Sequence, residues 1–292
     1  MAIFNLGSIN LDYFYRLPHL VSAGETLAAV GYDIFLGGKG ANQSVALAKA
    51  GADVFHIGAF GKRDEHYLQE MREAGVNINN ISLLGSESGH AVVMVDNETG
   101  ENQIVLSGSA NNKISEKQIE SVLLNAKTTD WALAQNETSL VHEFLVSAKE
   151  KGLKICYSAA PFVAKQTASL LPFTNLLVVN EVEANALLKF LNKDVSELGL
   201  PHLVITLGSK GARYIGEEGD FFVAPFEVSP VDTTGAGDTF LGYLLASLSK
   251  GMSMREAMSY GSAAASLQIT RQGALAAIPS LQEVETFIGE NS

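Results

Sequence analysis

An α/β fold, with a mostly parallel central sheet and helices on both faces, is predicted by three observations. Apolar runs of strand length alternate with segments of helical periodicity along most of the chain, the order that lays parallel strands side by side under crossover helices. Two of the junctions, at 37–43 and 235–238, are glycine-rich turns that open a helix. Two β-rich segments, about 13–36 and 89–107, interrupt the alternation and are expected to form one separate flap.

In chain order, Ile3, Phe4 and Leu6 make a short buried strand that ends at Gly7. Residues 13–36 are aromatic and apolar, punctuated by Gly24 and Gly31, and 26–35 reads as strand. A helix over about 41–50 follows Gly37-Gly38-Lys39-Gly40. Strand 54–57, helix 64–73 and a turn at Gly75-Val76 come next. The runs 91–95 and 103–106, joined by a turn at 96–100, read as a hairpin. Ser115 caps a helix over 115–124. Strand 131–134, helix 139–151 and strands 153–157 and 176–179 continue the alternation. A strand through Ile205 and Thr206 enters the turn Gly208-Ser209-Lys210-Gly211. After Asp238, the residues Phe240, Leu241, Leu244, Leu245 and Leu248 recur at helical spacing, and 253–269 is an alanine-rich helix. No repeat or low-complexity linker divides the chain, so residues 1–292 are expected to form one domain.

Composition narrows the function. The 292 residues are 47% hydrophobic and 18% charged, which is globular and long enough to bury a sizeable core. A formal net charge of −12 argues against a nucleic-acid or anionic-membrane surface, both of which want clustered Lys and Arg. It leaves room for a nucleotide, which needs only local positive potential. Cys156 is the single cysteine, so neither a disulfide framework nor a Cys-based zinc site is expected. The histidines lack metal-binding spacing and are expected at the surface or in packing. No apolar run reaches about 18 residues, and residues 1–10 lack the pattern of a signal peptide. The expected location is cytoplasmic, and the sequons at Asn97 and Asn136 are read as chance.

The stretch Val231-Asp232-Thr233-Thr234-Gly235-Ala236-Gly237-Asp238-Thr239-Phe240 carries the chemistry. Gly235 and Gly237 permit positive φ and close approach of a ligand. The helix start behind them aims free N–H groups at one point, which suits an anion. A carboxylate there would repel that anion. Asp238 makes sense as the acceptor of a proton from a hydroxyl about to attack a phosphoryl group. The alternative is that Asp238 caps the helix. Asn10 and Asp12 follow the first strand, where open α/β sheets bind ligands, although both are also turn formers. Gly37-Gly38-Lys39-Gly40-Ala41-Asn42-Gln43 is neither a Walker A loop nor a complete dinucleotide fingerprint, which disfavours a dehydrogenase.

Asp-Thr-Thr-Gly-Ala-Gly-Asp-Thr-Phe at 232–240 resembles the C-terminal signature of the ribokinase family, the PfkB-type carbohydrate kinases. Gly-Gly-Lys-Gly-Ala-Asn-Gln at 37–43 resembles the N-terminal one, and Gly-Ser-Ile-Asn-Leu-Asp at 7–12 is similar to a third family element. The likeness runs from Gly7 to about Pro279. It implies a ribokinase-like three-layer sandwich with a small β lid built from about 13–36 and 89–107. It implies transfer of the ATP γ-phosphoryl group to a primary hydroxyl, the O5 of D-ribose, with Asp238 as general base and Gly235, Ala236 and Gly237 as anion hole. Asn10, Asp12, Gly38, Lys39, Asn42 and Glu137 would hold the sugar. Asn180, Thr206, Gly208, Ser209, Gly211, Gly237 and Ser262 would meet ATP, and Glu183 would serve Mg²⁺ through water. Lys210 either faces the phosphates or is solvated. Asp232, Thr234, Gln268, Arg271 and Gly273 would surround a monovalent cation such as K⁺, mostly through carbonyls. Ala277 stands where many family members have a Ser ligand, which leaves that shell open to question. Between Glu183 and Leu203 the chain is shorter than the family norm.

Without the resemblance, Glu137 reads as a surface carboxylate, and Asn180 with Glu183 as a helix cap. Other sugar or nucleoside kinases of the family are the nearest rivals, because Tyr13, Phe14 and Tyr15 offer stacking partners for a base. A silent sugar- or nucleotide-binding regulator is the rival of another class. An exposed apolar lid face is expected to pair two copies into a homodimer.

Overall fold

The computed structural model describes residues 1–291. β1 (Ala2–Leu6) leads into β2 (Asn10–Leu17), β3 (Gly31–Gly37) and α1 (Lys39–Lys49). β4 (Asp53–Gly61) is followed by a 3₁₀ helix (Lys62–Leu68), α2 (Gln69–Glu73), β5 (Asn77–Leu84), β6 (Gly89–Asp96) and β7 (Asn102–Ser107). Then come α3 (Glu116–Leu123), β8 (Trp131–Ala134), α4 (Val141–Glu150), β9 (Lys154–Ser158), α5 (Ala164–Leu170), β10 (Leu176–Asn180) and α6 (Glu181–Leu191). β11 (His202–Thr206), the hairpin β12 (Ala212–Gly216) and β13 (Gly219–Val223), and helices α7 (Ala236–Ser249), α8 (Met254–Gln268) and α9 (Leu281–Glu290) complete the chain.

The main sheet has nine strands in the order β13-β12-β11-β10-β9-β8-β1-β4-β5. From β11 to β5 every pairing is parallel, and only β12 and β13 run antiparallel at the edge. Side-chain alternation divides two cores. Ile3, Trp131 and Leu133 face one with α1, α7, α8 and α9, whereas Phe4, Leu6, Ala132 and Ala134 face the other with α3, α4, α5 and α6. Strands buried on both faces read as unbroken apolar runs, which is why 131–134 and 176–179 were legible. β1 has β8 on one side and β4 on the other, so the chain order reverses there. Ligands of open α/β sheets bind outside the carboxyl ends of the strands at such a point.

The second sheet has the order β3-β2-β6-β7. β2 pairs antiparallel with β3 and parallel with β6, and β6 with β7 forms the expected hairpin. Several boundaries differ from expectation. Residues 26–30 are irregular, and the strand begins at Gly31. Asn10 and Asp12 lie inside β2, with their backbones in a ladder instead of a turn. The segment expected as helix 64–73 is mostly 3₁₀, with one α turn at its end. β5, α5, β12, β13 and α9 were not anticipated. The region 183–203 keeps α6 and a 3₁₀ turn (Val195–Glu197) before β11.

Candidate active site

The site is built at the carboxyl ends of β1 and β8, the root of β2, and the first turns of α1 and α7. Gly7 and Gly40 let the loop after β1 lie against α1. A Cβ on Gly40 would sit 2.4 Å from the backbone of Gly7. Gly38, the N-cap of α1, has φ 94, a value that favours glycine. A Cβ on Gly37 would lie 2.2 Å from Asp12 Oδ2, so the paired glycines clear space for that carboxylate.

Asp238 is the third residue of α7, whose N-cap is Gly235 at φ 77. Its carboxylate does not cap the helix. Oδ1 accepts from Gln43 Nε2 at 2.8 Å and Oδ2 from Asn42 Nδ2 at 3.1 Å. The capping alternative is thereby excluded. Burial pushes the carboxyl above its ordinary range, and Lys39, Gln43 and Asn42 oppose that shift. Gly237 corrects one expectation. It is already helical and has no positive φ, because α7 begins at Ala236. A Cβ on it would meet nothing within 4 Å, so the space before the turn is open. Ala236 N–H donates to Thr233 O at 3.3 Å and Thr239 N–H to Gly235 O at 2.9 Å. The N–H groups of Gly237 and Asp238 lie between, in the turn where a helix supplies no acceptor.

Glu137 is no surface carboxylate. Its Oε2 accepts from the Ser8 hydroxyl and from Lys39 N–H. Asp12 faces it, and burial, with Glu137 as the second cause, pushes the Asp12 carboxyl up to about 6. Asn10 Oδ1 accepts from Asn111 Nδ2 at 2.8 Å, and Asn111 Oδ1 accepts from Ile9 N–H. Asn42 Oδ1 is buried without a partner, an acceptor suited to a ligand hydroxyl. Acceptors thus converge from Asp12, Asn42, Glu137 and Asp238. Of the three aromatics near Asp12, only Phe14 shares its face of the lid, in edge contact with Phe35. Tyr13 and Tyr15 point to the other face, against Tyr32.

The expected nucleotide residues lie farther along the same edge of the sheet. Asn180 and Thr206 are paired at the ends of β10 and β11. Gly208, with φ 58, and Ser209 belong to the 3₁₀ turn that follows, and Lys210 is exposed there. A Cβ on Gly211, at φ 96, would meet Val223 O at 2.3 Å. The Ser262 hydroxyl donates to Ala224 O. Asn180 and Glu183 form a reciprocal capping box on α6, so the helix-cap reading of this pair holds. In the expected cation loops, Asp232 accepts from the N–H groups of Thr234 and Gly273. Gln268 Nε2 donates to Thr234 O and Ala274 O, while its buried Oε1 has no partner. Arg271 pairs with Glu283 at 2.7 Å. Ala277 is buried and offers no side-chain oxygen.

Sequence reading passed over Ser8, Gln43, Asn111 and Gln135 as site builders. Gln43 shares a helical stripe with Ala46, Leu47 and Ala50, all buried, and a glutamine in such a stripe is a usable signal. Asn111 gave none, because it comes from a 3₁₀ turn (Ser109–Lys113) between the lid and α3. His56, expected at the surface or in packing, is buried, and it joins a polar network.

The model of the pfkB family of carbohydrate kinases matches residues 3–281. The chain belongs to this family. The kinase is 33% identical to the ribokinase of Haemophilus influenzae over 298 residues, covering 97% of each chain. The structure of ribokinase from Thermotoga maritima superposes with a TM-score of 0.89 at 30% identity, covering 99% of each chain. That of Arabidopsis thaliana ribokinase complexed with ribose and ATP gives 0.86 at 26% identity, again covering 99% of each chain. The fold is therefore ribokinase-like, and the kinase is a phosphotransferase with an alcohol acceptor.

Proposed function

We propose that this kinase transfers the γ-phosphoryl group of ATP to the O5 hydroxyl of D-ribose, giving ribose 5-phosphate. One observation carries the reading: Asp238, held by two side-chain amides, lies in the open first turn of α7 that also supplies unpaired N–H groups. Asp238 takes the proton of the attacking hydroxyl. The N–H groups of the Gly235-Ala236-Gly237 turn face the charge that develops on the phosphoryl oxygens. Asp12, Asn42 and Glu137 accept hydrogen bonds from the sugar, with Asn10, Gly38 and Lys39 around them. Sugar hydroxyls are donors, so a set of acceptors fits them and leaves a deoxy analogue with an unanswered carboxylate.

Asn180, Thr206, Gly208, Ser209, Gly211 and Ser262 border the nucleotide in this reading. In this reading Glu183 would serve Mg²⁺ through water, and its neighbour Glu181 adds a second carboxylate to the first turn of α6. Mg²⁺ neutralises charge on the phosphates when bound. The unpartnered Gln268 Oε1 fits a monovalent cation among Asp232, Thr234, Arg271 and Gly273, so K⁺ would act as an activator there. The reading places the enzyme in the cytoplasm, where ATP is supplied, and as a homodimer through the lid.

The test is an ADP-release assay with Mg-ATP and K⁺ over ribose, deoxyribose, fructose, 2-keto-3-deoxygluconate, adenosine, inosine and pseudouridine. Ribose is expected to give the highest kcat/KM by about tenfold or more, since a site built for hydroxyl donors rejects analogues that lack them. A nucleoside or ketose in first place would overturn the substrate and keep the chemistry. Sugar binding without turnover would show a regulator.

A further inference from the structure

Asp238 is one end of a chain of buried amides that runs from α1 into the sheet. Gln43 Oε1 accepts from Gln135 Nε2 at 2.7 Å, and Gln135 Nε2 also donates to Asn5 Oδ1 at 2.9 Å. Asn5 Nδ2 donates to Ser44 Oγ at 2.8 Å and to Gly40 O at 3.0 Å. Ser44 Oγ lies 2.8 Å from His56 Nδ1, and His56 Nε2 lies 3.1 Å from Gly7 O. Asn5, Gln43, Ser44, His56 and Gln135 are all at most 1% exposed.

The ends dictate the direction of every bond. Gly7 O only accepts, so His56 carries its proton on Nε2 and Nδ1 accepts from Ser44. Burial holds His56 neutral, with its pKa pushed down to about 4. The Asp238 carboxylate also only accepts, so Gln43 must present its NH₂ group. Two donor arms therefore meet at Gln135, whose one NH₂ serves both while its Oε1 is left without a partner. An apolar core needs none of this, and hydrogen bonds of fixed direction hold each buried amide in one orientation.

We propose that Gln43, locked in one amide orientation by Gln135, is a positioning residue that fixes the plane of the Asp238 carboxylate and keeps it ionised. This rests on the reading of Asp238 as the base. Both oxygens of Asp238 receive amide donors, which favour the charged form, as does Lys39 from α1. Glu137, in the loop after β8, opposes it, and burial opposes it most. Asp12, on β2, faces Glu137. Removing the Gln43 donor leaves burial and Glu137 less opposed.

Gln43→Met and Gln135→Met are compared with the wild type and Asp238→Asn. The readouts are kcat and KM, the acid limb of the kcat/KM profile, and ¹³C NMR titration of labelled aspartate carboxyls, with Asp238→Asn assigning the resonance. Gln43→Met is expected to lower kcat about 10–100-fold with both KM values within about threefold, the signature of a lost transition-state interaction. The acid limb and the NMR midpoint should rise together by about one pH unit, and Gln135→Met should move both in the same direction by less. A folded Gln43→Met with unchanged kcat and midpoint overturns the proposal. If that variant does not fold, an unchanged midpoint in Gln135→Met overturns it equally. If Asp238→Asn keeps wild-type kcat, the base assignment fails instead, and the midpoint still decides whether Gln43 controls the charge of Asp238.

Discussion

Asp12 shows what the site asks of a single residue. Its carboxyl is raised from 3.8 to about 6 by burial and by Glu137, so the folded protein binds that proton more tightly than the unfolded chain. Stability from this group is full below the unfolded value of about 4, declines as pH rises through about 6, and is flat above. A shift of this size corresponds to about 3 kcal/mol. Asp12→Asn should therefore unfold at higher denaturant concentration than the wild type at pH 8, with the gap closing towards pH 4. Sugar affinity should fall in the same variant. Urea melts at the two pH values check this, and a gap independent of pH would contradict it. The two signatures and the third element at 7–12 made Asn42, Asp238 and Asp12 legible, because each lies inside a motif. The partners that tune them were hidden. Ser8, Asn111 and Gln135 come from the loop after β1, the turn before α3 and the loop after β8, and only folding brings them together.

The decisive contact between elements is α1 against α7. A Cβ on Gly242 would lie 2.4 Å from Ala46 Cβ. These residues sit one turn beyond Asp238 and Asn42 respectively, so the small pair sets how closely the helices approach where the amides reach the carboxylate. Gly242→Ala should destabilise the protein by about 1–3 kcal/mol through overpacking, although helix propensity alone would stabilise it by about 1 kcal/mol. It should also lower kcat severalfold, and Ala46→Gly in the same chain should restore kcat. A rise in melting temperature for Gly242→Ala would contradict the close contact. Element legibility followed burial. β8 and β10 were plain because their runs are apolar on both faces. β5, with sequence Asn-Ile-Asn-Asn-Ile-Ser-Leu-Leu, is an edge strand with mostly polar side chains at its start. The segment 62–73 has helical composition, but directly after β4 it tightens into a 3₁₀ helix over Lys62–Leu68.

For the whole molecule, the lid is the unfinished surface. Asp12, Phe35, Ala91 and Leu106 form one cross-strand row, and Phe14, Val93 and Ile104 the next. Phe35, Ile104 and Leu106 are 48%, 55% and 60% exposed, on the face that carries Asp12. A second copy covering this face would exclude water from the sugar as well as bury apolar surface. Ile104→Asp should convert a dimer to a monomer in sedimentation velocity and raise KM for the acceptor, and a wild-type monomer at micromolar concentration would contradict the pairing. No helix of the described residues is long and apolar enough to cross a membrane, in keeping with a net charge of −12 spread over a globular chain. The central claim is that Asp238 removes the proton of the attacked hydroxyl. Its most direct test is kcat of Asp238→Asn with Mg-ATP and the best acceptor. The account predicts a fall of about 10²–10⁴-fold, the range for loss of a general base, with acceptor binding by calorimetry nearly unchanged. A kcat within about threefold of wild type would contradict it.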